Sequence, residues 1–224
     1  MPWLIFLLVM VRAQYAPYWI PASSMAPTLV AGDYMLARYA TPDSLSRGDV
    51  VVFRHPVSGV HFVKRLVGLP GDTVQLRHGQ VVLNGVALPQ APDGTYIVPS
   101  GPPGPAGHLP RCANAPVGAG EDCSAERFRE TLPDGRNWQV LNIDDDGFAD
   151  NTDLFTVPPG HAFVLGDNRD NSQDSRFAQM NGGVGFVPLK NIFAKPQFVV
   201  FSAAGSSLLA VWTWRPSRFF KGVQ

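Results

Sequence analysis

Beyond the first dozen residues, hydrophobic and polar positions follow the period of a strand and never that of a convincing helix. Residues 34–39 form a short run after the turn signal Gly32-Asp33. Residues 49–53 (DVVVF) are β-branched, as in a strand buried on both faces. Residues 60–67 alternate: Phe62, Lys64 and Leu66 share one face, and Val63, Arg65 and Val67 the other. Residues 73–77, 80–83 and 86–88 read as a meander, with His78-Gly79 and Asn84-Gly85 at its turns. Further strands are predicted at 138–143, 161–165 and 198–201. Residues 89–137 show no period and are predicted irregular, with GPPGPAG at 101–107 an exposed loop. The result is a mainly β, antiparallel protein, and 22 glycines and 21 prolines suit many short strands joined by turns.

The two ends differ from this pattern. Residues 2–11 (PWLIFLLVMV) are continuously apolar until Arg12, about half of the roughly 20 residues needed to span a bilayer. No basic stretch precedes them, as a cleavable leader would require. Membrane attachment is expected, by a short anchor or by the remnant of a longer one, with Tyr15, Tyr18 and Trp19 as an interfacial belt. A buried segment of a soluble domain is the alternative. The tail from Ser202 ends in Trp212, Trp214, Arg215, Arg218, Phe219, Phe220 and Lys221, a mixture that suits a membrane surface or a terminus packed on the core.

Net charge is zero and no Lys/Arg run exists, so no nucleic-acid partner is expected. Cys112 and Cys123 are the two cysteines. With no histidine spaced to complete a zinc site, they are a candidate short-loop disulfide in an oxidising compartment, or two free thiols. The acidic stretch 144–153 lacks the alternating oxygens and closing Glu of a calcium loop and reads as a solvated turn. No metal and no cofactor is expected.

Candidate chemistry lies in three places. Ser24 sits between Pro21 and Pro27, which stiffen the segment that presents its hydroxyl. Taken alone, that pattern is also what a structural loop looks like. The five histidines fall in no HExxH, and no GxSxG exists, so nothing supports a Ser-His-Asp triad. Lys64, flanked on its face by Phe62 and Leu66, is placed for desolvation, which would favour the neutral amine that a general base needs. A strand lysine that snorkels to solvent is the bland alternative. The third place is GDNRDNSQDSR at 166–176, dense in groups that could pair with Arg65 and hold the amine in one geometry.

Four blocks in order, IPASSMAPTL (20–29), GD (32–33), RGDVVVF…FVKRLVGLPGD (47–72) and GDNRDNSQDSR (166–176), resemble the bacterial type I signal peptidases, membrane-bound Ser-Lys endopeptidases that remove signal peptides from exported preproteins. The resemblance implies the signal-peptidase/LexA-like antiparallel fold, with an N-terminal membrane segment (1–19), a catalytic core in two parts (20–75 and 161–201), an inserted loop-rich β region (76–160) and the aromatic, basic tail (202–224). It implies Ser24 as nucleophile and Lys64 as general base. Ser172 would orient the lysine amine, and Asp174 would support it and pair with Arg176. Arg65 and Asp167 would form a structural ion pair. Ile20, Pro21, Met25 and Val63 would line shallow pockets for the small residues of an Ala-x-Ala site. Implied partners are signal-peptide-bearing preproteins and the bilayer. The chain would act as a monomer at the cytoplasmic (inner) membrane, its catalytic domain on the outer, periplasmic side. One position departs from the pattern: the family often reads Pro-Ser-Gly-Ser-Met, and its first serine hydroxyl helps bind the oxyanion. Here that position is Ala22 and the glycine is Ser23, so Ser23 or a water is expected to substitute in part. A self-cleaving LexA-like peptidase and a weak or inactive tethered relative that binds exported chains are the other readings.

Overall fold

A computed structural model describes residues 12, 14–98, 111–115, 117, 121–205 and 207–224. Its strands are β1 (Tyr15–Trp19), β2 (Asp33–Tyr39), β3 (Val50–Arg54), β4 (His61–Gly68), β5 (Thr73–Arg77), β6 (Gln80–Leu83), β7 (Val86–Ala87), β8 (Gln90–Val98), β9 (Cys123–Thr131), β10 (Asn137–Asn142), β11 (Phe155–Thr156), β12 (His161–Leu165), β13 (Val187–Pro188) and β14 (Ile192–Ser202). They form a seven-stranded sheet of order β1-β2-β14-β3-β4-β12-β13, a three-stranded sheet β10-β9-β8 and a four-stranded sheet β11-β5-β6-β7. Strand pairing within all three is antiparallel.

The β-branched block of β3 lies in the middle of the large sheet because both its faces are covered. Val50 and Val52 pack with Met25, Leu29 and Met35, whereas Val51 and Phe53 pack with Leu66, Val164 and Ile192. β4 keeps the predicted alternation, with Phe62 and Leu66 in one cluster and Val63 in the other. A third cluster joins the sheets: Val67, Phe163 and Leu165 of the large sheet meet Val74, Leu76, Val81 and Leu83 of β5–β6 and Trp138 and Val140 of β10. The meander turns have positive φ at both central residues, His78 (48°) and Gly79 (73°), then Asn84 (52°) and Gly85 (79°). That geometry matches the twist of a hairpin and favours Asn and Gly.

Two expectations change, and a third point is open in the sequence. The first is residues 89–137, predicted irregular, which contain β8 and β9. β8 carries Pro92, Asp93 and Gly94, poor strand formers, and its pairing with β9 shifts register between Pro92 and Thr95. β9 (CSAERFRET) is charged rather than alternating, so only pairing in the folded chain reveals it. The second is the division at residue 19. Residues 1–11 of the expected membrane segment lie outside the described residues, but Tyr15–Trp19 is a strand paired with β2. It is an edge strand, where Pro17 is tolerated. The last strand is also longer than its predicted core at 198–201, because Pro196 sits at a register shift rather than ending it. Among the described residues no helix is long and apolar enough to cross a membrane.

The third concerns the tail, which packs on the core from Ala203 onward. Phe201 meets Trp214 edge to face and Phe219 at a tilt, at 5.1 and 5.0 Å between ring centres. Arg218 pairs with Asp33 at 2.6 Å and donates to the Thr28 carbonyl at 3.0 Å, tying the tail to the segment that follows Ser24. Leu209 and Trp212 stay outside this packing, 88% and 82% exposed. Cys112 and Cys123 are joined by a disulfide that ties the segment before β9 to its first residue.

Phe163 is fully buried between the large sheet and the β5–β7 sheet, against Phe155 and Phe186. Phe163→Ala should therefore cost about 3–5 kcal/mol of stability. Urea unfolding followed by tryptophan fluorescence checks this, and a loss below 1 kcal/mol would mean that the sheets are not held together there.

Candidate active site

Ser24 lies in the turn between β1 and β2. Ile20 and Gly32 close that loop, with Ile20 N–H donating to the Asp33 carbonyl at 2.9 Å and Gly32 N–H to the Ile20 carbonyl at 2.8 Å. Met25, Ala26 and Leu29 are buried beneath the turn, which leaves the Ser24 side chain at a fixed, half-buried place. Lys64 reaches it from the middle of β4, opposite Val51 of β3. The lysine is 3% exposed, and its Nζ stands 2.6 Å from Ser24 Oγ. Burial, with help from the Arg176 charge, lowers the Lys64 pKa to about 8 against the opposing pull of Asp174 and Asp167. When the amine is neutral, the same 2.6 Å contact lets the Ser24 hydroxyl donate to the nitrogen lone pair, which is the arrangement a general base needs. Of the histidines, His61 faces the other way, against Tyr18 and Phe193.

The loop that follows β12 wraps this pair. Asp174 is fully buried and takes Arg176 on both oxygens at 2.8 and 2.9 Å, with the Gly166 N–H at 3.0 Å. Burial pushes its carboxyl upward, but the Arg176 and Lys64 charges outweigh that and hold it below its ordinary value. Asp167 takes Arg65 at 2.7 and 2.6 Å and also the Thr28 hydroxyl at 2.5 Å. Arg65 continues to the Gly48 carbonyl and lies under the Trp138 ring at 4.7 Å. Gly166 leaves no room for a side chain: a Cβ there would lie 2.2 Å from Ser172 Oγ and 2.6 Å from the Ser24 carbonyl. Ser172 is therefore brought against the Ser24 segment. Its buried Oγ makes no hydrogen bond among the described residues, so a contact with the lysine amine is not part of this arrangement.

Ile20, Met25 and Val63 fall in one apolar cluster beside the dyad, and Pro21 is exposed next to it. Four further residues escaped the sequence reading. Glu130 of β9 pairs with Arg169 at 2.6 Å, both buried, and so ties the inserted region to the 166–176 loop. No local signal marks Glu130, because its partner is 39 positions away. Thr28, Asn168 and Asn171 lie inside blocks already singled out, and their neighbourhood was the available signal.

A model of the family described as "Signal peptidase, peptidase S26" matches residues 1–201. The chain belongs to this signal peptidase family. It is accordingly a signal-peptide-removing serine endopeptidase, a hydrolase. The signal peptidase I of Rickettsia canadensis is 34% identical over 215 residues, covering 83% of this chain and 71% of that protein. That of Rickettsia prowazekii is 34% identical over 216 residues, covering 83% and 72%. Among solved structures, a signal peptidase I from Enterococcus faecalis is 27% identical, with a TM-score of 0.32, covering 66% of this chain and 92% of that one. The family match ends where the tail begins, so Arg218, which contacts Asp33 and Thr28 inside the match, itself lies outside it.

Two outcomes follow for this signal peptidase. With a base whose pKa is about 8, activity should rise with pH through that value and fall about tenfold per unit below it. Cleavage rates from pH 5 to 10 check this; a flat profile down to pH 5 would remove Lys64 as the base. Glu130→Ala leaves Arg169 buried without its carboxylate and should cost about 3–5 kcal/mol. Denaturant unfolding reads it, and an unchanged midpoint would contradict the buried pairing.

Proposed function

We propose that this chain cuts preproteins after small residues by acyl transfer through a Ser24–Lys64 dyad. The observation that carries the reading is the 2.6 Å contact between Ser24 Oγ and a buried lysine amine. Lys64 takes the Ser24 proton as Oγ attacks the scissile carbonyl. The oxyanion forms beside the Ser24 N–H. As the C–N bond breaks, the Lys64 ammonium gives its proton to the leaving amine. Lys64 then takes a proton from water, whose oxygen attacks the acyl ester, and the proton returns to Ser24. Asp174, held by Arg176, steadies the amine without pairing with it directly. Ser172 fills the space under Gly166 and stands as the hydroxyl nearest to a supporting role.

Ile20, Met25 and Val63 cluster beside the nucleophile, and an apolar lining of this kind favours short apolar side chains near the cut, of the Ala-x-Ala kind. Pro21 borders the same surface. The apolar run at 2–11 and the exposed Leu209 and Trp212 suit attachment to and contact with a bilayer, at the inner membrane with the catalytic domain on the periplasmic side. The Cys112–Cys123 disulfide fits that oxidising side. The working unit in this reading is a monomer.

A purified preprotein with an Ala-x-Ala site, in detergent, should be cut after the last alanine by the wild type. Ser24→Ala and Lys64→Ala should each abolish cutting, by at least about 1,000-fold in kcat. A folded but inert wild type would leave a tethered binding protein; an active Lys64→Ala would overturn the dyad. Ala22→Ser should raise turnover only slightly. A gain near a hundredfold, the worth of a whole oxyanion donor, would show that nothing substitutes at that position.

A further inference from the structure

The peptide that joins Ser23 to Ser24 is held from two sides. The Ser23 carbonyl accepts the Ala26 N–H at 3.0 Å and the Asn168 side-chain amide at 3.3 Å, and the Ser24 carbonyl accepts the Asn168 backbone N–H at 3.1 Å. A trans peptide is planar, so fixing the Ser23 carbonyl aims the Ser24 N–H the opposite way. Among the described residues that N–H has no acceptor. The Ser23 side chain is held too: Asn171 Nδ2 donates to Ser23 Oγ at 2.8 Å. A hydroxyl carries one proton and two lone pairs. Asn171 occupies a lone pair, and no side chain or carbonyl among the described residues accepts the Ser23 proton. Covalent geometry keeps a serine Oγ about 3–4 Å from the next residue's nitrogen in the staggered rotamers. Two uncommitted donors, the Ser24 N–H and the Ser23 O–H, therefore stand beside the nucleophile. Stabilising an acyl-transfer oxyanion ordinarily takes more than one donor.

We propose that Asn171 is a positioning residue: by capping the Ser23 oxygen it leaves the Ser23 hydroxyl proton free to point at the developing oxyanion, so that Ser23 supplies the second donor and offsets Ala22. This rests on the acyl-transfer reading above and names how the Ser24 N–H is assisted. Asn168 fixes the peptide, Asn171 fixes the hydroxyl, and both belong to the loop that also carries Asp174, so one loop sets both the base and the oxyanion site.

The test is kcat and KM on the same preprotein for Ser23→Ala, Asn171→Ala, their double variant and Asn171→Asp, each with and without Ala22→Ser. Ser23→Ala and Asn171→Ala should each lower kcat about 10- to 100-fold with KM little changed. The double variant should be no worse than Ser23→Ala alone, because the two residues act through one proton. Asn171→Asp can only accept, so it captures the Ser23 proton and should fall at least as far as Asn171→Ala. Ala22→Ser should recover most of each loss, which repair of a merely structural defect would not do. The midpoint of the pH profile should stay near that of the wild type throughout, since Lys64 is untouched. Full activity of Ser23→Ala, additive losses in the double variant, or no recovery by Ala22→Ser would overturn the proposal. If Asn171→Ala does not fold, Ser23→Ala with and without Ala22→Ser decides alone. A wild type that cuts nothing would instead strike the acyl-transfer reading itself.

Discussion

The proposed dyad sets one requirement: its lysine amine must stay uncharged beside the Ser24 hydroxyl although the charges of Asp174 and Asp167 act on it. Burial supplies the driving force, since an ammonium at Lys64 would lose its hydration. Asp167 and Asp174 oppose it, because a bare negative charge nearby would draw the proton back. The fold resolves the conflict by giving each carboxylate its own arginine, Arg65 for Asp167 and Arg176 for Asp174, through paired hydrogen bonds at 2.6–2.9 Å. Their charge is thereby largely spent before it reaches Lys64. Buried pairs of this kind add little net stability compared with apolar packing, so their presence here is better explained by the site than by the core.

The topology brings the parts together from distant positions. β3 and β4 hold Lys64 in the middle of the large sheet, β12 delivers the 166–176 loop, and the turn after β1 brings Ser24. Three ties fix these pieces to one another. Asn168 and Asn171 bind the nucleophile turn to the loop, Glu130 binds the inserted region to Arg169, and Arg218 of the tail binds Asp33 and Thr28.

Much of this was legible before any coordinates. The β-branched run of β3, the alternation of β4 and the Asn84-Gly85 turn are local signals, and they found their strands within a residue or two. Lys64 stood out in the sequence because it has apolar neighbours on its own face, a property of the strand itself. β8 and β9 did not, since Pro92, Gly94 and the charges of β9 argue against strands until each finds its partner. Glu130 was hidden for the same reason: its role is set by Arg169, and neither residue's neighbourhood announces the other. The tail was undecided because aromatic and basic residues suit a bilayer and a packed terminus equally well. Asp33, buried and in need of a cation, is what draws Arg218 inward. Ser172 is packed beneath Gly166 and lacks the expected contact with the lysine amine.

The most direct test of the central claim is to watch Lys64 itself. Titrating the folded protein with its lysines labelled at the side-chain nitrogen or the adjacent carbon, and assigning the Lys64 signal by its loss in Lys64→Arg, gives the amine's own pKa. A transition near 8 is expected for Lys64. A Lys64 that titrates near the ordinary lysine value of about 10.4 would mean that the amine is charged at neutral pH, and the proposed dyad would fall.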